Sequence, residues 1–370
     1  MSKPRHLVIM AAGTGGHIMP GLAVAKELQN RGWTVSWLGT EDGMEHRLVP
    51  PAGIELDTIS FKGLRGKGLG HAVKGAFLML KAFYECFRIL GKRQADAVLG
   101  MGGYVCFPGG LMAKLRGLPL VLVNADAAML LSNRALSPIT DIIAFGFDGP
   151  AAKGKRARVT GNPVRTDIEA LKGPEQRFAG REGPLRILVV GGSLGARVLN
   201  EALPGALAQM PPGERPKVTH QTGMANFEAV KAAYKRMDMD PVREVEVVPF
   251  INNMAQRLAD CDLLVCRAGA ITVSELCAAG VPSILVPLVV STTSHQKDNA
   301  EYMAAHGAAV HLPQAELNAD SVAERLKSLR RADLLDMAIK ARALGRPGAA
   351  GAVADQIEQL VNKTAKGASA

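Results

Sequence analysis

The sequence predicts an α/β protein built from two doubly wound parallel-sheet units in tandem. Three observations carry this reading. Short apolar runs alternate with stretches of helical periodicity along the whole chain. Residues 7–12 and 185–190 each run into glycines, Gly13-Thr14-Gly15-Gly16 and Gly191-Gly192-Ser193-Leu194-Gly195, before a helical stretch. The chain of 370 residues is about twice the usual domain length of roughly 100–200 residues.

The elements follow in order. Residues 7–12 are continuously apolar, as a strand covered on both faces is. The loop Gly13-Thr14-Gly15-Gly16-His17 comes next, then a helix with Pro20 in its first turn and Gly32 as its C-cap. Residues 33–38 form the second strand, completing a βαβ unit. Residues 97–99, the pair Gly102-Gly103, a helix and residues 120–123 repeat the pattern. A junction falls at Gly161-Asn162-Pro163-Val164-Arg165, dividing the chain into 1–163 and 164–345, and a helix over about 346–365 is expected to pack back on the first part. The second part opens with the strand 185–190. Residues 262–266 then lead into Arg267-Ala268-Gly269-Ala270, a helix to residue 279 and a strand over 283–286. Both parts read as Rossmann-type units.

Composition removes several classes. With 48% hydrophobic residues the chain can bury large cores, and with 4% aromatics and 40 Gly it does not resemble an all-β sandwich. Cys86, Cys106, Cys261, Cys266 and Cys277 form no CxxC, and their odd number suggests core thiols in a reducing compartment. The apolar run at the N-terminus is too short for a secretory signal, and no stretch approaches the roughly 18 apolar residues of a spanning helix. A soluble or peripheral protein is expected.

Glycine loops between strand and helix leave N–H groups free at a helix N-terminus, which attracts phosphate. There are three, at 13–16, 191–195 and 267–270, so a phosphate-bearing ligand in an interdomain cleft is expected. A dinucleotide fingerprint starts at Gly13 and Gly15 but meets Ile18 where Gly or Ala is required, although Glu41 and Asp42 stand where a ribose acid would. No GxxxxGK[ST] occurs. The strings Asp238–Asp240 and Asp260–Asp262 read as chance, so neither metal nor cofactor is implied. His17 closes the first loop, at the strand ends where an imidazole can take a proton near neutral pH.

The formal charge is +10, and residues 60–95 concentrate it: Lys62, Arg65, Lys67, Lys74, Lys81, Arg88, Lys92 and Arg93 against Glu85 alone. Within this segment Val73, Phe77, Leu80, Tyr84 and Phe87 share an apolar arc, with Lys74, Lys81 and Arg88 recurring beside it. One reading is a helix packed on its own sheet with a solvated basic edge. The other is contact with anionic lipid headgroups. Recognition motifs for nucleic acid and clustered stacking aromatics are absent, so no nucleic-acid partner is expected.

Taken in order, these motifs resemble the MurG family of N-acetylglucosaminyltransferases over nearly the whole chain. The resemblance rests on Gly13-Thr14-Gly15-Gly16-His17 with Pro20-Gly21-Leu22-Ala23, on Gly63-Leu64-Arg65-Gly66-Lys67, and on Gly100-Met101-Gly102-Gly103-Tyr104. It continues through Gly161-Asn162-Pro163-Val164-Arg165, Gly191-Gly192-Ser193-Leu194-Gly195-Ala196, and Arg267-Ala268-Gly269-Ala270 with Thr272-Val273-Ser274-Glu275.

What the resemblance implies is a GT-B fold of two Rossmann-like domains facing a cleft. It implies transfer of N-acetylglucosamine (GlcNAc) from UDP-GlcNAc to the C4 hydroxyl of MurNAc-pentapeptide on undecaprenyl diphosphate, the lipid I to lipid II step of peptidoglycan synthesis. The place would be the cytoplasmic face of the bacterial inner membrane, held peripherally by an anionic surface. Protein partners are not indicated. Carried over residue by residue, Ser193 and the loop N–H groups would hold diphosphate and Arg165 would help at the nucleotide. The backbone of Ile251 would meet uracil and Glu275 the ribose hydroxyls, with the turn Ala270, Ile271, Thr272, Val273 and Ser274 around it, and Gln296 the sugar. Thr14, Gly15, Gly16 and Asn124 would join the residues that bind the substrates, UDP-GlcNAc and acceptor. Where the family commonly has His-Glu-Gln-Asn, this chain has Val123-Asn124-Ala125-Asp126, and where it commonly has Ser this chain has Ala268. Asn124 cannot act as a base and Asp126 can, so His17 and Asp126 are the two candidates for the general base. Related GT-B transferases, a nucleotide-sugar epimerase and a nucleotide-sugar-binding module without turnover are the alternatives.

Overall fold

In the computed structural model the described residues are 4–13, 15–61, 69–192, 195–239, 244–288 and 295–368, with side chains described outside 69–74 and 365–368. The chain divides into two compact units, Met1–Val164 with Gly348–Ala370, and Arg165–Pro347.

The first unit holds strands β1 (His6–Ala11), β2 (Thr34–Thr40), β3 (Glu55–Ile59), β4 (Ala97–Gly102), β5 (Leu120–Asn124), β6 (Ile142–Phe145) and β7 (Ala157–Val159). They form one sheet in the order β3-β2-β1-β4-β5-β6-β7, and every described pairing is parallel. The second unit holds β8 (Arg186–Val190), β9 (Lys217–Gln221), β10 (Val245–Val248), β11 (Leu263–Cys266), β12 (Ser283–Leu285) and β13 (Ala309–His311), in the order β10-β9-β8-β11-β12-β13, again parallel. Central strands such as β4 and β5 are buried throughout, which is why they read as unbroken apolar runs. In each sheet the winding reverses at one place, between β1 and β4 and between β8 and β11, and such reversals open crevices at the carboxyl ends of the strands.

The first helix spans Gly15–Asn30, so His17 lies in its opening turn and not in a loop before it, and Pro20 lies in its second turn and not its first. Two glycines oppose helix formation locally, but packing overrides them. Ile18 is fully buried, and Gly21 lets the helix press on Trp37, whose Cη2 would lie 2.6 Å from an added Cβ. Gly32 closes the helix as expected: its φ is +83° and Trp33 N–H reaches back to Leu28 O at 3.0 Å.

The last helix, Ala349–Ala368, belongs to the first unit. Its Val353, Ala354 and Ile357 are fully buried in the cluster that holds Leu7, Ile9, Val24 and Leu28. Arg31 ties the two helices at the surface, pairing with Glu27 at 2.8 Å, Asp355 at 2.6 Å and Glu358 at 2.8 Å.

The helix Leu69–Arg93 separates the two readings of its apolar arc. Its buried side is Ala82, Cys86, Ile89 and Leu90, whereas Phe77, Leu80 and Tyr84 are 69%, 67% and 66% exposed and Phe87 is 41% exposed. The apolar arc therefore faces outward. Val73 and Lys74 belong to that arc but their side chains lie outside the described set.

A buried polar chain fastens the second unit. His220 is fully buried on β9; its Nδ1 meets the Tyr234 hydroxyl at 2.8 Å and its Nε2 meets Asn200 Oδ1 at 3.1 Å. Since Oδ1 can only accept, Nε2 carries the hydrogen and Nδ1 accepts from Tyr234. Burial holds this imidazole at a pKa of about 3. The folded value lies below the unfolded one, near 6.5, so its contribution to stability is complete above about 6.5 and is lost as pH falls toward 3. The melting temperature should therefore fall between pH of about 6.5 and 4.5, above the range where carboxylates titrate. In His220→Gln that slope should shrink by about one proton; an unchanged slope would exclude His220 as its source.

Candidate active site

In the first unit three carboxyl-end segments converge at the reversal between β1 and β4. The β1–β4 pairing shifts register here: Met10 aligns with Gly100 but Ala11 with Gly102, so Met101 is an inserted bulge residue. The bulge delivers Gly102 and Gly103 at φ of +126° and +89°. A Cβ on Gly102 would lie 2.6 Å from His17 Cδ2, and one on Gly103 would lie 2.5 Å from Ala12 O. The His17 ring thus rests on bare backbone. Its Nδ1 meets the Ala12 carbonyl at 3.4 Å. A carbonyl only accepts, so Nδ1 holds the hydrogen and Nε2 keeps its lone pair. Burial lowers the imidazole pKa from the ordinary 6.5, while the Ala12 carbonyl and then the charge of Asp126 act to raise it.

Asp126 is half-buried in the turn after β5, and Asn124 shapes that turn. Asn124 is fully buried. Its Nδ2 donates to Asp126 O at 2.8 Å and Ala128 O at 3.0 Å, and its Oδ1 accepts from Leu130 N at 2.9 Å and Asn133 Nδ2 at 3.1 Å. All four hydrogen bonds an amide can make are used, and a carboxylate could not make the first two. Asn162 braces the same turn through Ala125 O at 2.8 Å. Gly15 and Gly16 form the first positions of the helix that carries His17. Thr14 lies outside the described residues, as does the string 63–67.

In the second unit the loop after β8 is as tight. A Cβ on Gly191 would meet Ala196 N at 2.1 Å, and Gly195, at φ +77°, would meet Thr222 O at 1.9 Å. Ser193, in that loop, lies outside the described residues. Gln221, buried at the end of β9, receives Gly191 N–H at 3.2 Å and donates to Pro249 O at 3.2 Å. One side chain thus fixes both the glycine loop and the segment bearing Ile251, itself buried.

The helix Ala270–Ala279 follows β11. Its N-cap, Gly269, has no side chain, so the N–H groups of Ala270, Ile271 and Thr272 have no intrahelical acceptor. Val273 is fully buried and the Ser274 hydroxyl is returned to Ala270 O at 2.9 Å, so both serve the helix. Asn299, fully buried, holds the preceding loop through Ala268 O at 3.0 Å. Glu275 pairs with Arg165 at 3.3 Å rather than standing on a solvated face. Burial pushes its carboxyl upward and Arg165 pulls it back. Gln296 accepts Leu288 N–H at 2.9 Å through Oε1.

Glu45, Gln221 and Asn299 were not singled out from sequence. The string His220-Gln221-Thr222-Gly223, polar residues ending a strand before a glycine, was a usable signal for Gln221. Glu45 and Asn299 carried none, because the Gly13 N–H and the Ala268 carbonyl that they hold are backbone groups far along the chain.

Two parallel-sheet α/β units, each with glycine-rich loops at its winding reversal, define a GT-B glycosyltransferase architecture. Residues 7–145 match the glycosyltransferase family 28 N-terminal domain, and residues 186–357 match the family's C-terminal domain. The chain belongs to glycosyltransferase family 28. It is 68% identical to the UDP-N-acetylglucosamine--N-acetylmuramyl-(pentapeptide) pyrophosphoryl-undecaprenol N-acetylglucosamine transferase of Methylibium petroleiphilum, covering 97% of this chain and 98% of the relative. It is 62% identical to the enzyme of the same name from Chromobacterium violaceum, covering 97% and 99%. Its structure is similar to the crystal structure of Acinetobacter baumannii MurG, with a TM-score of 0.83, 38% identity, and 96% and 100% of the two chains covered. The resemblance carried by the motifs is borne out.

Proposed function

We propose that this protein is an inverting N-acetylglucosaminyltransferase that moves GlcNAc from UDP-GlcNAc to the C4 hydroxyl of the undecaprenyl-diphosphate-linked MurNAc-pentapeptide, the lipid I to lipid II step of peptidoglycan synthesis. Near-full-length identity to transferases of that name carries the reading. The geometry of each unit supports it.

The acceptor oxygen attacks the anomeric carbon from the side opposite UDP. A new C–O bond forms as the bond to the diphosphate breaks, and the hydroxyl proton passes to Nε2 of His17. The imidazolium so formed is stabilised by Asp126, whose charge already acts on the ring. Thr14, Gly15 and Gly16 are assigned to substrate on the family resemblance. On the donor side, the N–H groups at the head of the helix Ala270–Ala279, the loop around Ser193 and the Arg165 guanidinium take the charge of the departing diphosphate. Glu275 accepts from the ribose hydroxyls, the backbone at Ile251 meets uracil, and the free Nε2 amide of Gln296 meets a sugar hydroxyl.

Turnover with UDP-GlcNAc and a lipid I analogue tests this reading directly. His17→Ala should lower kcat by about 10²–10⁴-fold with little change in donor KM, and Asp126→Asn should keep most activity. A nearly dead Asp126→Asn beside an active His17→Ala would exchange the two assignments. No turnover by the wild type, with UDP-GlcNAc still bound, would favour a binding module.

Glu275→Ala should raise the UDP-GlcNAc KM about 5–100-fold, the equivalent of roughly 1–3 kcal/mol for a lost hydrogen bond to a buried partner. Its fold should be retained, and a wild-type KM would remove Glu275 from the donor site.

The protein acts at the cytoplasmic face of the bacterial inner membrane, which it meets through the helix Leu69–Arg93. Among the described residues no helix is long and apolar enough to cross a membrane. Phe77, Leu80, Tyr84 and Phe87 form an exposed stripe, with Lys81 and Arg88 exposed beside it. Apolar insertion and attraction to anionic headgroups reinforce each other on such a face. Binding to anionic vesicles should exceed binding to neutral ones and weaken with salt. Phe77→Ser and Leu80→Ser should each reduce it by about tenfold or more. Charge reversal at Lys74, Lys81 and Arg88 should reduce it further, with turnover on a short soluble acceptor unchanged. Wild-type vesicle binding by these variants would leave the exposed stripe without that role.

A further inference from the structure

We propose that Glu45 is a positioning residue for His17, acting through the peptide group that joins Ala12 to Gly13. The proposal rests on the reading of His17 as the base. Glu45 follows β2, in the short helix Glu45–Leu48, and is fully buried. Its Oε1 accepts from the Thr40 N–H and hydroxyl, both at 2.8 Å. Its Oε2 accepts from Gly13 N–H at 3.2 Å. The carbonyl of that same peptide group, Ala12 O, is the one that holds His17 Nδ1 at 3.4 Å. Carboxylate, peptide and imidazole therefore form one line of hydrogen bonds.

The surroundings are cleared for this carboxylate. A Cβ on Gly43 would lie 1.9 Å from Glu45 Oε2, and one on Gly39 would lie 2.7 Å from its Cγ. A buried carboxylate is costly, and here three donors offset that cost: the Thr40 N–H, the Thr40 hydroxyl and the Gly13 N–H. The charge has a use at the N–H end of the peptide. It polarises the group and strengthens the carbonyl at the other end as an acceptor. A stronger acceptor at Nδ1 fixes the tautomer that leaves Nε2 free, and it stabilises the imidazolium formed when Nε2 takes a proton. Two charged groups thus bear on the ring: Asp126, from the turn after β5, and Glu45, through the peptide.

The test uses the full chain with ¹⁵N-labelled histidine, the His17 signals being assigned by their loss in His17→Gln. Glu45→Gln keeps the shape and removes the charge. Gly43→Ala keeps the carboxylate and displaces it, so it decides the matter if the first variant fails to fold. Both should shift the His17 ring away from the Nδ1–H tautomer, lower its pKa and move the acid limb of the kcat profile to lower pH. Both should reduce kcat about 10–100-fold, with the UDP-GlcNAc KM within about twofold of wild type. Wild-type tautomer, pKa and kcat in a folded variant overturn the proposal, even if His17→Ala is inactive. A shifted tautomer and pKa beside a fully active His17→Ala uphold the positioning and overturn the reading of His17 as base.

Discussion

The first unit depends on how closely two strand ends approach one another. At the head of β1 and β4 there is room for backbone alone: side chains at positions 102 and 103 would fall within 2.6 Å of His17 and 2.5 Å of Ala12. The bulge at Met101, the positive φ angles of Gly102 and Gly103, and a helix that starts at Gly15 are one solution to that crowding. Each positive φ would cost a side-chain-bearing residue about 1–3 kcal/mol, and overpacking would add a similar amount. The benefit is an imidazole held on a rigid floor with Nδ1 fixed by the Ala12 carbonyl.

The second unit meets the same constraint with different anchors. Gly191 and Gly195 lie against Ala196 N and Thr222 O, so the glycine loop is wedged between its own helix and the end of β9. Polar side chains then fasten what the glycines allow. Gln221 spans from Gly191 to Pro249, and Asn200 reaches Thr222 O at 3.1 Å while its own oxygen meets His220. An apolar residue at position 221 could fill the volume but would leave the Gly191 N–H and the Pro249 carbonyl without this partner. The loop geometry is held by directional bonds as well as by packing.

These features differ in how far the sequence revealed them. The strands were legible because burial on both faces demands unbroken apolar runs, as in β1 and β5, and the loops because nothing but glycine fits at 102, 103, 191 and 195. The face of the helix Leu69–Arg93 was not legible. That helix is apolar on two sides, Ala82-Cys86-Ile89 and Phe77-Leu80-Tyr84, and periodicity alone cannot say which side meets the sheet. The start of the first helix was misplaced because Gly15 and Gly16 disfavour a helix that packing at Ile18 and Gly21 restores. The role of Asn124 was hidden for another reason. Its partners include the backbone of Asp126, Ala128 and Leu130, and backbone groups leave no mark in a sequence.

The ion pair between Arg165 and Glu275 shows how the proposed donor site can stand half-buried without a ligand. Burial already pushes the Glu275 carboxyl upward, so a carboxylate left alone there would tend to neutralise, and a neutral acid accepts less well from a diol. Arg165 at 3.3 Å opposes this. Nucleotide binding then becomes an exchange and not a net desolvation of charge. On the proposed assignment, the diphosphate would offer the guanidinium an anion as the ribose would offer the carboxylate its hydroxyls. Attraction between the two side chains opposes that exchange, which sets a limit on how tightly the nucleotide is held. A transferase gains from that limit, because the same contacts that stabilise the leaving diphosphate must afterwards release it.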